Sequence, residues 1–136
     1  MYWEIVFLAD KRIEIRRFTQ MDENKISYDI RGAAFKVHNE LGPGLLESVY
    51  EAALAYELEL IGYEVKKQVA VPMKYSDISF EVGFRLDLLI NDLVIVEIKS
   101  VETLADIHHK QLLTYLKLTK KKLGLLINFN SISLKD

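Results

Sequence analysis

The chain has 136 residues, half of them hydrophobic and 28% charged, with no cysteine and a net charge of −2. That composition suits one compact domain with a core and excludes a disordered chain, disulfides and thiolate chemistry; it fits a reducing, cytoplasmic setting. No apolar run approaches the roughly 20 residues of a membrane span, so no membrane partner is expected. The opening MYWEIVFLADKRIEIRR carries charge within and after its apolar run, unlike a secretory leader. A strongly basic balance, which would point to nucleic acid, is missing.

Residues 1–20 read as an extension of unknown role: WEIVFLA has strand character and KRIEIRRF alternates weakly. Met21 opens a polar, acidic lead-in, and residues 21–136 read as a single domain. Ile26, Ile30, Ala33, Ala34, Val37 and Leu41 recur at helical spacing, which predicts a helix over 26–41. Gly42-Pro43-Gly44 ends it. A second helix is expected from Leu46 to Ile61, with Val49, Ala53, Leu54, Leu58 and Ile61 apolar and Gly62 as its stop. Residues 63–73 are β-rich, and Pro72 marks an edge or a strand end. Phe80, Val82, Phe84, Leu86, Leu88 and Ile90 alternate with other residues, and Val94, Val96 and Ile98 do so after Asn91-Asp92. A third helix is expected over 104–119 and a short buried strand over 123–129. The order α-α-β-β-β-α-β predicts an α/β domain. Its central mixed sheet is flanked by helices, with a site at the sheet's edge.

The hairpin GFRLDLLINDLVIVEIKS carries Arg85, Asp87, Glu97 and Lys99 among apolar residues. A two-residue turn would set Leu86 opposite Glu97 and Asp87 opposite Val96, mixing charge and hydrocarbon on both faces. A three-residue loop, 91–93, instead pairs Leu86 with Ile98, Leu88 with Val96 and Ile90 with Val94. The opposite face then pairs Arg85 with Lys99, Asp87 with Glu97 and Leu89 with Ile95. The pattern favours the odd loop, or an equivalent bulge. Asp87 and Glu97 come to lie about 5 Å apart as cross-strand neighbours, a like-charge pair that needs an offsetting cation. Either this is a solvated face on which Arg85 and Lys99 neutralise the acids, or it is an acidic site on the back of a core face.

Asp87 followed by Glu97-Ile98-Lys99 resembles the PD-(D/E)XK nuclease superfamily. Gly44-Leu45-Leu46-Glu47-Ser48-Val49-Tyr50, within VHNELGPGLLESVYEAALAYEL, resembles the GxxExxY family of that superfamily. The resemblance spans about residues 21–130 and implies a restriction-endonuclease-like core. It implies Asp87, Glu97 and the Ile98 carbonyl as ligands of Mg²⁺ or Mn²⁺, with Glu47 as a further candidate ligand. Lys99 would orient the attacking water and stabilise developing charge. Gln111-Leu112-Leu113-Thr114-Tyr115 matches a QxxxY element of helicase–nuclease domains, adding Gln111 and Tyr115 to the catalytic set.

Spacing agrees that His108, Gln111 and Tyr115 share a helix face beside the site. A plainer structural role is open to several of the residues singled out. Glu47 would equally complement a helix dipole, Tyr50 and Tyr115 would pack, and His38 would be a hydrogen-bonded structural residue. His108-His109 point about 100° apart on a helix and are not expected to bind zinc. Lys117, Lys120, Lys121 and Lys122, with Lys66-Lys67, are candidate phosphate contacts or simply a solvated face. The function expected is a metal-dependent nuclease acting on nucleic acid, DNA before RNA. The alternative is a non-catalytic nucleic-acid-binding or protein-interaction module, such as an accessory subunit. A homodimer or larger complex is compatible with either.

Overall fold

A computed structural model describes residues 2–9 and 17–135, with side chains for residues 22–132. The elements are β1 (Tyr2–Ala9), α1 (Arg17–Leu41), α2 (Glu47–Leu60), β2 (Val65–Tyr75), β3 (Ile78–Ile90), β4 (Val94–Lys99), α3 (Asp106–Thr119), β5 (Leu123–Asn128) and β6 (Ser133–Lys135). The strands form one mixed sheet in the order β2-β3-β4-β5-β1-β6. β4 and β5 run parallel, while β2, β3 and β4 form an antiparallel meander. The α-α-β-β-β-α-β order expected from the sequence is present, and the class is α/β. The strand-like WEIVFLA becomes β1, antiparallel to β5, and β6 pairs parallel with β1. Much of the weakly alternating KRIEIRRF segment lies outside the described residues.

Helix α1 starts at Arg17, well before the expected Ile26. The polar lead-in has no Gly or Pro to stop a helix and includes Gln20, Met21, Glu23 and Lys25, all good helix formers. Gly42 and Gly44 stand at φ +70 and +94, left-handed values that let the chain turn from α1 into α2 without a Cβ clash. α2 buries Tyr50, Leu54, Ala55 and Leu58. Val49 and Ile61, expected on its apolar face, are exposed. Pro72 falls on the edge strand β2, at a register shift between Val71 and Met73.

The sheet is covered on both faces. Ile26, Ile30, Ala34 and Val37 of α1 and the α2 residues pack on Leu88, Ile90, Val94, Val96 and Ile98. On the other face, Leu112 and Leu116 of α3 pack on Leu86, Leu89, Ile95 and Leu126. The hairpin loop spans three residues, as the pattern favoured, with Ile90, Leu89 and Leu88 opposite Val94, Ile95 and Val96. Asn91 and Asp92 both take left-handed φ, which their short polar side chains tolerate.

The hairpin also departs from expectation. Leu86 does not share a face with Ile98: it packs under α3, while Ile98 packs under α1 and α2. The face behind the core is not a solvated surface, because Leu89 and Ile95 are buried there. The change of face falls at Asp87, where the β3–β4 ladder ends and side chains replace backbone partners. Nor is the acidic pair on an edge strand; β3 and β4 are the second and third strands.

Candidate active site at the open end of the hairpin

Beyond Leu88 and Val96 the two strands are joined through carboxylates. The Asp87 N–H donates to Glu97 Oε2 at 2.8 Å, and the Ile98 N–H donates to Asp87 Oδ2 at 2.8 Å. Each acid thus satisfies a backbone donor of the opposite strand, which holds both carboxylates in the gap. Glu97 is only 4% exposed. Burial, and then the charge of Asp87, push its carboxyl up to about 8. The Asp87 N–H and the Lys99 charge pull the other way without prevailing. Among the described residues, no ion pair joins Arg85 or Lys99 to either acid. Simple neutralisation of the acids by these cations therefore does not account for the cluster.

The start of α2 approaches from one side. Glu47 Oε1 accepts the Ser100 N–H at 3.2 Å, one residue past Lys99. The Ser100 hydroxyl donates to the Leu45 carbonyl at 2.8 Å. Tyr50 fixes the glycine loop: its hydroxyl donates to the Gly42 carbonyl at 2.6 Å and accepts the Leu45 N–H at 3.1 Å. Its ring stacks on Phe129, whose N–H donates to the Lys99 carbonyl at 2.9 Å. One tyrosine therefore ties the loop before Glu47 to the strand end that carries Lys99. Two neighbours escape the sequence pattern. Glu51, one turn after Glu47, accepts from Gln68 Nε2 at 2.9 Å, and the same Nε2 lies 3.4 Å from Asp87 Oδ1. Burial raises the Glu51 pKa, with Asp87 and Glu47 adding to the shift. The i, i+4 spacing of Glu47 and Glu51 was the available signal.

Helix α3 closes the other side. Lys99 Nζ is 3.4 Å from Gln111 Oε1. Tyr115 stacks on Phe84 with centroids 4.3 Å apart. Its pKa is raised by burial and then by the charges of Glu97 and Asp87, so it lies within their electrostatic reach. His108 Nδ1 instead accepts the Ala105 N–H and caps α3, and His109 contacts the Ala105 carbonyl. His38 is buried against the Ser131 carbonyl at 2.7 Å, a structural position. Asn128, also missed, clamps the chain after β4 through both the N–H and the carbonyl of Val101.

The lysine-rich segment is elsewhere. β4 and β5 are parallel with Val94 opposite Leu123 and Lys99 opposite Asn128. Lys120, Lys121 and Lys122 therefore stand at the turn end of the hairpin, a strand length from Lys99. Lys117 sits in the last turn of α3. Lys121 Nζ donates to the Asp92 carbonyl at 2.7 Å, and Lys66 pairs with Glu64.

No three His, Asp or Glu side chains converge among the described residues as a ready metal cage. Two carboxylates held in one gap do fit a hard cation that keeps several waters, as Mg²⁺ does. The raised Glu97 carboxyl beside Asp87 is the electrostatic mark of a place where added positive charge would be favoured. Neither a curated protein nor a solved structure matches the chain. A family model described as PD-(D/E)XK nuclease superfamily matches residues 24–136. Such proteins are usually nucleases and generally use divalent metals such as Mg²⁺. With the fold, the strand-borne D and E-x-K residues and this match together, the chain belongs to the PD-(D/E)XK nuclease superfamily.

Proposed function

We propose that the protein is a Mg²⁺- or Mn²⁺-dependent nuclease of the GxxExxY type that hydrolyses phosphodiester bonds, of DNA in the first instance, with its site residues all within 21–136. The observation that carries this reading is the reciprocal bonding of Asp87 and Glu97 at the open end of the hairpin, with Lys99 two residues on. Asp87, Glu97 and the Ile98 carbonyl would hold the ion, with Glu47 available from the start of α2. Bound there, the ion would supply Lewis acidity toward a phosphate oxygen and lower the pKa of a water. Lys99 orients the attacking water and offsets charge that develops on the phosphate. Gln111 limits where the Lys99 ammonium can point. Tyr115 walls the site through its stack on Phe84.

One observation favours a second reading, that of a nucleic-acid-binding or accessory module. The lysines of the 117–122 segment lie away from the acidic pair, so the site itself is not ringed by that basic cluster. Any phosphate these lysines contact would be remote from the scissile one.

The test is cleavage of single-strand, duplex and branched DNA and of RNA, in Mn²⁺ and in EDTA, with Asp87→Asn purified in parallel. Mn²⁺-dependent cutting that the variant lacks supports the enzyme and ranks the substrates. Equal cutting by both preparations, or none, turns the assignment toward the module.

A further inference from the structure

We infer that Gln68 is a positioning residue for Asp87, held in an unfavourable backbone conformation so that its side-chain amide bridges Asp87 and Glu51. The inference rests on the nuclease reading and deepens it. Five non-glycine residues have positive φ among the described ones: Gln68, Ser76, Asn91, Asp92 and Lys120. Ser76 lies in the β2–β3 turn, Asn91 and Asp92 in the β3–β4 turn, and Lys120 caps α3. Gln68 alone sits inside a strand, at φ +50. Its neighbours Lys67 and Val69 remain paired with Leu88 and Leu86, so the kink is confined to one residue, directly across from Asp87.

Glutamine has no intrinsic liking for this conformation, and such outliers persist where the surroundings impose them, often at functional sites. Burial does not impose it here, because Gln68 is exposed. What the kink achieves is contact. Gln68 Nε2 donates to Glu51 Oε2 at 2.9 Å and reaches Asp87 Oδ1 at 3.4 Å. Asp87 Oδ2 is already fixed by the Ile98 N–H. With both oxygens held, the carboxylate plane is set. Glu51, which can only accept while ionised, fixes the amide so that its NH₂ faces Asp87. Gln68 thus stands one step behind a residue proposed to touch the ion and orients it.

Gln68→Gly and Gln68→Asn separate positioning from simple structure. Glycine relieves the backbone, and asparagine tolerates left-handed φ but is one methylene too short to bridge both acids. In EDTA, Gln68→Gly is expected to melt at the wild-type temperature or up to about 5 °C above it. Mn²⁺ affinity by titration calorimetry is expected to fall about tenfold in both variants. Wild-type Mn²⁺ affinity in Gln68→Gly, or a lowered melting temperature in EDTA, would overturn the inference. A wild-type chain that takes up no Mn²⁺ would instead overturn the nuclease reading and the inference together, so the two failures look different.

Discussion

The two ends of the β3–β4 hairpin follow opposite rules. At the turn end, backbone groups pair with backbone groups, and Leu88, Ile90, Val94 and Val96 are fully buried. Charge there stays at the rim, where Lys121 meets Asp92. At the open end, carboxylates replace ladder partners and Glu97 is buried with its pKa raised. The turn end suffices to close the hairpin and seat it between two helical layers. The open end carries two acids side by side, one of them buried, which folding alone would not select. Such departures from local consistency are expected where a site is built.

The largest effect should come from the open end. Asp87→Asn and Lys99→Ala should each lower the cleavage rate by about a thousandfold, the scale of losing one preorganised electrostatic contact, with melting temperature close to wild type. Comparable rates in variant and wild type would erase the distinction between the two ends. Leu88→Ala, at the turn end, should do the reverse. It should cost about 3 kcal/mol in urea unfolding, yet leave cleavage per folded molecule unchanged.

A smaller effect concerns pH. The unfolded chain releases the Glu97 proton near the ordinary value of 4.5, whereas the folded chain keeps it up to about 8. Folding therefore retains a proton in that window. The contribution is complete below the unfolded value and is lost as pH rises to about 8. Stability in EDTA should decline across this window by at most roughly 1.4 kcal/mol per pH unit, and Glu97→Gln should flatten the slope. A slope that Glu97→Gln leaves intact would mean that another group titrates. Smallest of all, Lys121→Ala should cost under about 0.5 kcal/mol, and high salt should remove even that, because Asp92 is 65% exposed.

The sequence carried the helices, the three-residue loop and the proximity of Asp87 to Glu97, because hydrophobic periodicity and pleat parity decide those. It misplaced Leu86 because strict alternation presumes an unbroken pleat, and β3 changes face between Leu86 and Leu88. Leu88-Leu89-Ile90 and Val94-Ile95-Val96, unbroken apolar runs, were the legible sign of strands buried on both faces. Gln68 was not legible, since nothing in its chemistry announces a left-handed φ within a strand. Asn128 was equally silent: its clamp on Val101 depends on a loop whose path only tertiary structure sets.

The most direct test is a crystal of the protein grown with Mn²⁺ and measured for anomalous scattering. A peak is expected at the open end of the hairpin, about 2.0–2.6 Å from carboxylate oxygens of Asp87 and Glu97 and from the Ile98 carbonyl, as hard-cation bonds require. A peak elsewhere, or none there at saturating Mn²⁺, would contradict the assignment of this end of the hairpin as a metal-dependent active site.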